Sequence, residues 1–303
     1  MDQNLLLGQA LGLVTAICFA QNSIIYRHLG QKVGSQGVAH IRMWLALPFV
    51  LLLTRLIEGS WLPTDWALST YLILLASGVI GYFLTDLLMF RAYILLGSRE
   101  SMVIMTLSPV VTAALSLLLF DEYLNLIQLL GMVITIGGVG MMILLDRHPS
   151  PIACERKNRS TGVLYAVLGS ILQSISFLLA KAALGEGGPV STNLIRNIGG
   201  LGAFIIFNGL IKGNAKEHFK ILRQPRALFL LLLASLAGPV LGMSSQMKAF
   251  TLAPVGVVTT ITQVSPVLLL PFDWFILKRR ISAASLAGTL LSIAGIAILF
   301  LSA

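Results

Sequence analysis

Residues 106–144, TLSPVVTAALSLLLFDEYLNLIQLLGMVITIGGVGMMIL, decide the fold of this protein. The stretch holds two apolar runs, and its only charged residues, Asp121 and Glu122, lie in the short connection between them. A helix rises 1.5 Å per residue, so about 20 apolar residues cross a hydrocarbon core of about 30 Å. With the apolar residues before Thr106, each run approaches that length. The stretch therefore predicts a hairpin of two transmembrane helices.

The same composition extends along the whole chain of 303 residues, of which 56% are hydrophobic and 11% charged, with a mean hydropathy of +0.89. Soluble domains usually contain about 25% charged residues. The formal net charge of +9 does not indicate a nucleic-acid partner, because the Lys and Arg residues lie in short clusters between apolar runs. We predict an all-α integral membrane protein that contacts the lipid bilayer and no nucleic acid.

Ten apolar runs have a length suited to membrane crossing. They cover residues 5–26, 41–57, 68–90, 100–120, 125–145, 162–182, 194–211, 227–247, 254–277 and 283–302. The longest connections, 146–160 and 212–226, are too short for a soluble domain. The sequence therefore predicts ten transmembrane helices without an extramembrane enzyme module.

An internal repeat relates the two halves of the chain. At a spacing of 154 residues Arg42 matches Arg196, and at a spacing of 157 residues Gly81 matches Gly238 and Pro109 matches Pro266. We therefore predict two five-helix repeats, residues 1–150 and 151–303. Because five is odd, the second repeat enters the membrane in the opposite orientation, and such inverted repeats surround a central cavity in many carriers.

Charged connections predict the orientation. The connections between helices 1 and 2, 3 and 4, 5 and 6, 7 and 8, and 9 and 10 hold 17 of the 21 Lys and Arg residues. Lys and Arg concentrate on the cytoplasmic side of membrane proteins. This bias places those connections in the cytoplasm and both termini outside.

These features resemble the EamA-like permeases of the drug/metabolite transporter superfamily. The resemblance rests on Arg42 opening helix 2, its match Arg196 in helix 7, and Pro109 and Pro266 within helices 4 and 9. It implies ten helices in an inverted repeat around a central cavity that carries metabolites such as amino acids, sugars or nucleotide conjugates, often outward. Two features depart from the family pattern. Family members commonly have Gly-Glu and a basic residue after helix 4, where this chain has Asp121-Glu122-Tyr123, and their termini are usually cytoplasmic.

Polar side chains within the apolar runs are the candidates for substrate binding, because such groups face a bundle interior or a water-filled cavity. The predicted substrate-binding residues are Gln21, Asn22, Arg42, Tyr82, Asp86, Thr106, Gln173, Ser174, Arg196 and Gln263. Hydrogen bonding between helices is the alternative role for Ser, Thr, Asn and Gln.

Charged candidates have alternatives of their own. Asp86 and Asp273 lie deep in apolar runs. Each is either a proton site or the partner of a buried base, which for Asp86 would be Arg91 or Arg42. Neither acid has an acidic match in the other repeat, since Asp86 corresponds to Met243. Basic residues near helix ends either extend to the membrane interface or recognise a substrate carboxylate or phosphate.

Proline, glycine and histidine give further predictions. Pro109 and Pro266 should each interrupt a helix and free the carbonyl one turn earlier, at Met105 and Thr262. Six glycines of helices 5 and 10 should mark close helix packing: Gly131, Gly137, Gly138, Gly140, Gly288 and Gly295. The four histidines, His28, His40, His148 and His218, show no spacing typical of metal ligands and are expected at the membrane interface.

The predicted function is that of a secondary carrier or facilitator for a small polar metabolite, with an amino acid as the favoured cargo and export across the inner membrane as the favoured direction. A flippase of a lipid-linked metabolite and, less favoured, an intramembrane enzyme are the alternatives. The sequence contains no P-loop or catalytic-triad pattern, so we expect no catalytic residue, cofactor or metal. It leaves open whether the protein is a monomer or a homodimer.

Overall fold

A computed structural model describes residues 3–96, 98–144, 156–185, 187–213, 215–268 and 283–301. These residues form helices joined by short connections, and no strand occurs among them. We number the long helices α1 (Gln3–Val33), α2 (Ser35–Glu58), α3 (Leu68–Gly78, Val79–Leu84 and Thr85–Leu96), α4 (Ser98–Met105 and Leu107–Phe120), α5 (Leu126–Leu144), α6 (Arg156–Ala183), α7 (Pro189–Ile205 and Ile206–Ile211), α8 (Pro225–Ser235, Leu236–Gly242 and Met243–Phe250), α9 (Val255–Thr262 and Ser265–Leu268) and α10 (Ala283–Leu301). A short helix, Ala215–Phe219, and a 3₁₀ turn, Lys220–Arg223, lie between α7 and α8.

Seven of these helices are long and apolar enough to cross a membrane. Two more apolar segments, Leu126–Met142 and Leu286–Leu301, are shorter. The predicted ninth run is helical as far as Leu268, and its remainder lies outside the described residues. The protein is therefore a multi-pass helical membrane protein, and the count of ten crossings stays a prediction.

Several predicted helix boundaries were wrong, including the end of α3 at Leu96 and the start of α6 at Arg156. Helix α1 continues to Val33 and α2 begins at Ser35, so the predicted connection between them is almost entirely helical. Only Gly34, whose φ of 81° is accessible to glycine, interrupts the two helices. Helix α7 begins at Pro189 rather than at residue 194, because proline is well suited to the first turn of a helix. Hydropathy located the apolar cores and missed the polar turns that extend them.

The predicted interruptions at proline are confirmed. Helix α4 breaks between Met105 and Leu107, and α9 breaks between Thr262 and Ser265. In α9 the hydroxyl of Ser265 donates to the Thr262 carbonyl at 2.8 Å, which satisfies the group freed by the proline.

A second irregularity also recurs at a spacing of 157 residues. The π-helical turn Val79–Leu84 of α3 corresponds to Leu236–Gly242 of α8. Each turn contains one of the matched glycines, Gly81 or Gly238. The repeat is thus visible in local backbone geometry as well as in the sequence.

Close packing of α5 against α10 confirms the predicted role of four of the six glycines. A Cβ atom on Gly138 would lie 2.5 Å from the backbone nitrogen of Ser292, and one on Gly288 would lie 2.5 Å from that of Met142. Gly131 and Gly295 face α10 and α5 in the same way. The prediction was wrong for Gly137 and Gly140, because a Cβ atom on either would meet nothing within 4 Å among the described atoms. These two residues lie on other sides of the helix.

This difference gives a matched stability test. Gly138→Ala should lower the free energy of unfolding by about 1–3 kcal/mol, because the added methyl group meets backbone rather than a side chain that can move away. Gly137→Ala, one residue earlier on the same helix, should leave stability unchanged or slightly higher. Thermal unfolding of the purified variants in detergent measures both effects, and equal melting temperatures would contradict the packing of α5 on α10.

Candidate functional site

A fully buried arginine lies among α3, α6, α7 and α8. Arg196 is 0% exposed, and its Nε donates to the Ser77 hydroxyl at 2.9 Å while its Nη2 donates to the Ser176 hydroxyl at 3.0 Å. The two serines are also bonded to each other, since each hydroxyl donates to the other residue's carbonyl at 2.7–2.8 Å. Both hydroxyl oxygens therefore act as acceptors for the guanidinium.

Aromatic faces complete the surroundings of this guanidinium. The Arg196 Cζ lies 5.1 Å from the centroid of the Tyr82 ring and 5.9 Å from that of Phe177, within the range of cation–π attraction. Its Nη1 lies 3.3 Å from the sulfur of Met247. No carboxylate among the described residues pairs with Arg196. A buried cation without a counter-charge costs several kcal/mol, so this arrangement is suited to receiving an anion.

Glycine makes the approach of α3 to α7 possible. A Cβ atom on Gly78 would lie 1.9 Å from the carbonyl oxygen of Arg196, so only glycine fits at this position. Ser77 is the residue before Gly78, and the close contact brings its hydroxyl to the guanidinium. The guanidinium is thus positioned by the backbones of both helices.

Tyr82 connects Arg196 to a second polar group. The Tyr82 hydroxyl donates to the Asn193 side-chain oxygen at 2.7 Å, and the Asn193 amide donates to the Pro239 carbonyl at 2.7 Å and to the Ser244 hydroxyl at 3.1 Å. Sequence reasoning missed Asn193 because the predicted helix began at residue 194, the residue after Asn193. The pattern of Asn193, Arg196 and Asn197, at spacings of three and four residues, was the available signal for one polar helix face.

The other matched arginine has a different environment. Arg42 of α2 forms an ion pair and a short hydrogen bond with Asp86 of α3. Their side chains are 14% and 21% exposed, so the pair is mostly buried. This confirms the ion-pair alternative with Arg42, while Arg91 is exposed and lies over the Tyr165 ring. The match of Asp86 in the second half is Met243, which explains why Arg196 has no equivalent acid.

The remaining predicted site residues lie apart from these two arginines. In the amide orientation that satisfies both ends, Asn22 donates to the Ala234 carbonyl and accepts from the Gly238 N–H, which joins α1 to the π turn of α8. Ser174 bonds to Ser108 and joins α6 to α4, while Thr106 donates to the Val103 carbonyl of its own helix. Gln21, Gln173 and Gln263 are half-buried. Asp273 lies outside the described residues.

The family model described as the EamA-like transporter family matches residues 6–144 and again residues 160–301. The chain belongs to the EamA-like transporter family. One similar solved structure, described only as a crystal structure of protein, has a TM-score of 0.75 and 14% sequence identity, and the alignment covers 98% of this chain and 97% of that one. That likeness concerns the fold. Comparison with curated proteins finds no match. The family assignment makes the protein a membrane transporter of small molecules.

The turn after α4 shows how this EamA-like chain accommodates its departure from the family pattern. Asp121 occupies the Gly position with a φ of 52°, in the left-handed region that Asp tolerates better than most residues. Glu122 accepts from the Val255 N–H at 2.9 Å and pairs with Lys181 of α6 at 3.0 Å. A base from another helix therefore pairs with Glu122, and the carboxylate caps the start of α9.

Glu58 at the end of α2 makes the corresponding contact with α7. Its carboxylate accepts from the N–H groups of Val190 and Ser191 at 2.8 and 3.1 Å and from the Ser191 hydroxyl. In both cases an acid from the first half of the EamA-like chain caps a helix of the second half. These contacts link the halves at helix ends, where the dipole stabilises negative charge.

Two of the four histidines are buried against each other. His40 of α2 and His218 of the short helix Ala215–Phe219 face one another with 3.2 Å between their Nδ1 atoms. The Trp44 indole donates to His40 Nε2, so the proton of neutral His40 is on Nδ1 and donates to His218. The short helix thus covers His40, and the depth of the pair in the membrane stays a prediction.

This geometry makes docking of the short helix sensitive to pH. Burial lowers the pKa of His218, with Lys212 opposing and Glu217 favouring its charged form. A second proton on His218 would place an N–H against that of His40. Docking should therefore be fully stable above the ordinary histidine pKa of about 6.5 and weaken as pH falls below it, by at most about tenfold per pH unit.

Hydrogen exchange of residues 215–223 between pH 7.5 and 5.5, corrected for the intrinsic exchange rate, measures this change. His218→Gln keeps a neutral side chain and should remove the extra pH dependence. Identical pH profiles for the two proteins would show that His218 does not control docking.

Proposed function

We propose that this protein is a secondary carrier of small organic carboxylates, with amino acids as the favoured cargo, and that Arg196 binds the cargo carboxylate. The supporting observation is a guanidinium that is 0% exposed, held by two serine hydroxyls, and lacks a carboxylate partner among the described residues. A planar guanidinium binds a carboxylate through two parallel hydrogen bonds. Nη1 is the natural donor to the cargo, because among the described residues it donates only to the weak acceptor Met247 sulfur.

Transport then proceeds by alternating access between two inverted five-helix repeats, residues 1–150 and 151–303, in a bundle of ten helices around a central site. The matched breaks of α4 and α9, together with the matched π turns of α3 and α8, support equivalent hinges in the two repeats. The Glu58 and Glu122 contacts join the repeats on one side and would separate when that side opens. We place both termini outside the inner membrane and favour export, on the basis of the charged connections.

Counterflow in proteoliposomes tests the proposal. Purified protein is reconstituted with unlabelled L-leucine inside, and uptake of labelled L-leucine and of labelled L-leucinamide is compared. The two compounds differ in the carboxylate, which leucinamide lacks. Exchange of leucine at least tenfold faster than that of leucinamide is expected. Equal exchange, or no amino-acid exchange above empty liposomes, would refute carboxylate recognition.

A further inference from the structure

Asn197 is a buried amide without a partner. It is 0% exposed, and neither its side-chain oxygen nor its nitrogen has a hydrogen-bond partner in the described structure. Leaving such a group unpaired costs about 1–3 kcal/mol, so an unpaired buried amide indicates either a strained core or a ligand that is absent. Its neighbour in the chain is Arg196. One helix turn earlier, Asn193 has all of its polar atoms engaged.

Contacts on either side place Asn197 along the Tyr82 ring. Asn193, one turn before it, accepts from the Tyr82 hydroxyl at 2.7 Å. Gly200, almost one turn after it, is so close that a Cβ atom would lie 2.7 Å from Tyr82 Cβ. Residues at spacings of three and four share one helix face, so Asn197 lies between these two contacts and faces the same ring. Arg196 meets that ring at 5.1 Å.

We infer that Asn197 is a specificity-determining residue that binds a second, uncharged hydrogen-bonding group of the cargo. This inference rests on the proposed function, in which Arg196 binds the carboxylate. Arg196 and Asn197 lie along the same Tyr82 ring, which allows one small cargo to contact both. A primary amide both donates and accepts, which suits a cargo amide or hydroxyl. The preferred substrate class is therefore amino acids with an amide or hydroxyl side chain, over those with hydrocarbon side chains.

The hydrogen bond between the Asn197 amide and the cargo sets how strongly one amino acid is preferred over another. A site that hydrogen-bonds a substrate group rejects the isostere without it, because the buried partner is then left unpaired. Wild-type protein should exchange labelled L-asparagine at least tenfold more efficiently than the near-isosteric L-leucine. L-Threonine has a hydroxyl where L-valine has a methyl group, and it should likewise be exchanged more efficiently than L-valine.

Asn197→Leu tests the inference, with Gln246→Leu as the matched control. Gln246 of α8 is also 0% exposed, and its amide has no hydrogen-bond partner among the described residues. It lies one helix turn after Gly242, which contacts Cys18 and Phe19 of α1, so Gln246 is on the side of α8 that faces α1. Asn197→Leu should reduce the asparagine-to-leucine ratio of exchange at least tenfold. Gln246→Leu should leave the ratio unchanged. Melting temperatures of both variants, measured in parallel, should not fall, since each substitution removes an unpaired buried amide.

The outcomes separate this inference from the proposed function. An unchanged ratio in Asn197→Leu, or an equal change in Gln246→Leu, overturns the specificity role while carboxylate recognition stands. Wild-type protein that exchanges neither asparagine nor leucine overturns the proposed function and this inference together. A drop in the melting temperature of Asn197→Leu with equal loss of both fluxes would show a structural role for the amide and also overturns the inference.

Discussion

Arg196→Met should abolish exchange of amino acids and leave the protein at least as stable as before. The guanidinium is buried without a carboxylate partner among the described residues, so its replacement by an apolar side chain removes a desolvation penalty. Replacing buried ion pairs by apolar side chains of similar volume is neutral or stabilising by about 1–4 kcal/mol. Ser77 and Ser176 remain satisfied, because each still donates to the other's carbonyl. Loss of a buried charged hydrogen bond to the cargo costs about 2–5 kcal/mol, or roughly 30-fold to several thousand-fold in exchange rate.

Paired measurements of leucine counterflow and melting temperature check this result. Arg55→Met is the control, because Arg55 is exposed and, within the described part of the chain, bonds only to the nearby Gly59 carbonyl. It should leave both quantities unchanged. Arg196→Lys keeps the charge and loses the planar pair of donors, so it should retain only part of the exchange. A protein that loses stability with Arg196→Met but keeps its exchange rate would show that the guanidinium is structural.

Local chemistry explains how much of the fold could be predicted. The apolar runs fix where helices lie in a bilayer, and a proline removes a helix hydrogen bond wherever it occurs, so the breaks in α4 and α9 could be predicted from sequence. Helix ends beyond the apolar core depend on capping and turns, which hydropathy does not measure. This is why the predicted start of α7 came too late in the sequence and Asn193 was missed.

The site was predictable only in part, because it depends on which distant helices meet. The repeat matched Arg42 with Arg196 but left open whether these bases extend to the membrane interface, and the structure buries both wholly or mostly. The mismatch of Asp86 with Met243 indicated that their surroundings differ. The pairing of Ser77 with Ser176 joins residues 99 positions apart and has no sequence signature. Asn22 and Ser174 were selected as polar residues in apolar helices, and their contacts are those of the alternative role, hydrogen bonding between helices.

The Arg42–Asp86 pair is expected to behave in the opposite way from Arg196. Removing one member leaves the other charge mostly buried without its partner, which costs about 3 kcal/mol or more. Arg42→Gln and Asp86→Asn should therefore each lower the melting temperature and the yield of folded protein. The double variant Arg42→Gln/Asp86→Asn removes both charges and should recover most of the loss, because its two neutral side chains can still hydrogen-bond.

The same variants distinguish a structural pair from a proton site. If the pair only joins α2 to α3, leucine exchange in the double variant should keep the wild-type dependence on pH and on a proton gradient. If Asp86 carries a coupling proton, exchange should persist in the double variant while uphill accumulation driven by a proton gradient disappears. We expect the structural outcome, because the Asp86 carboxylate is joined to the Arg42 guanidinium by both an ion pair and a hydrogen bond. Loss of gradient-driven accumulation with normal counterflow would contradict that expectation and make Asp86 the coupling residue of this transporter.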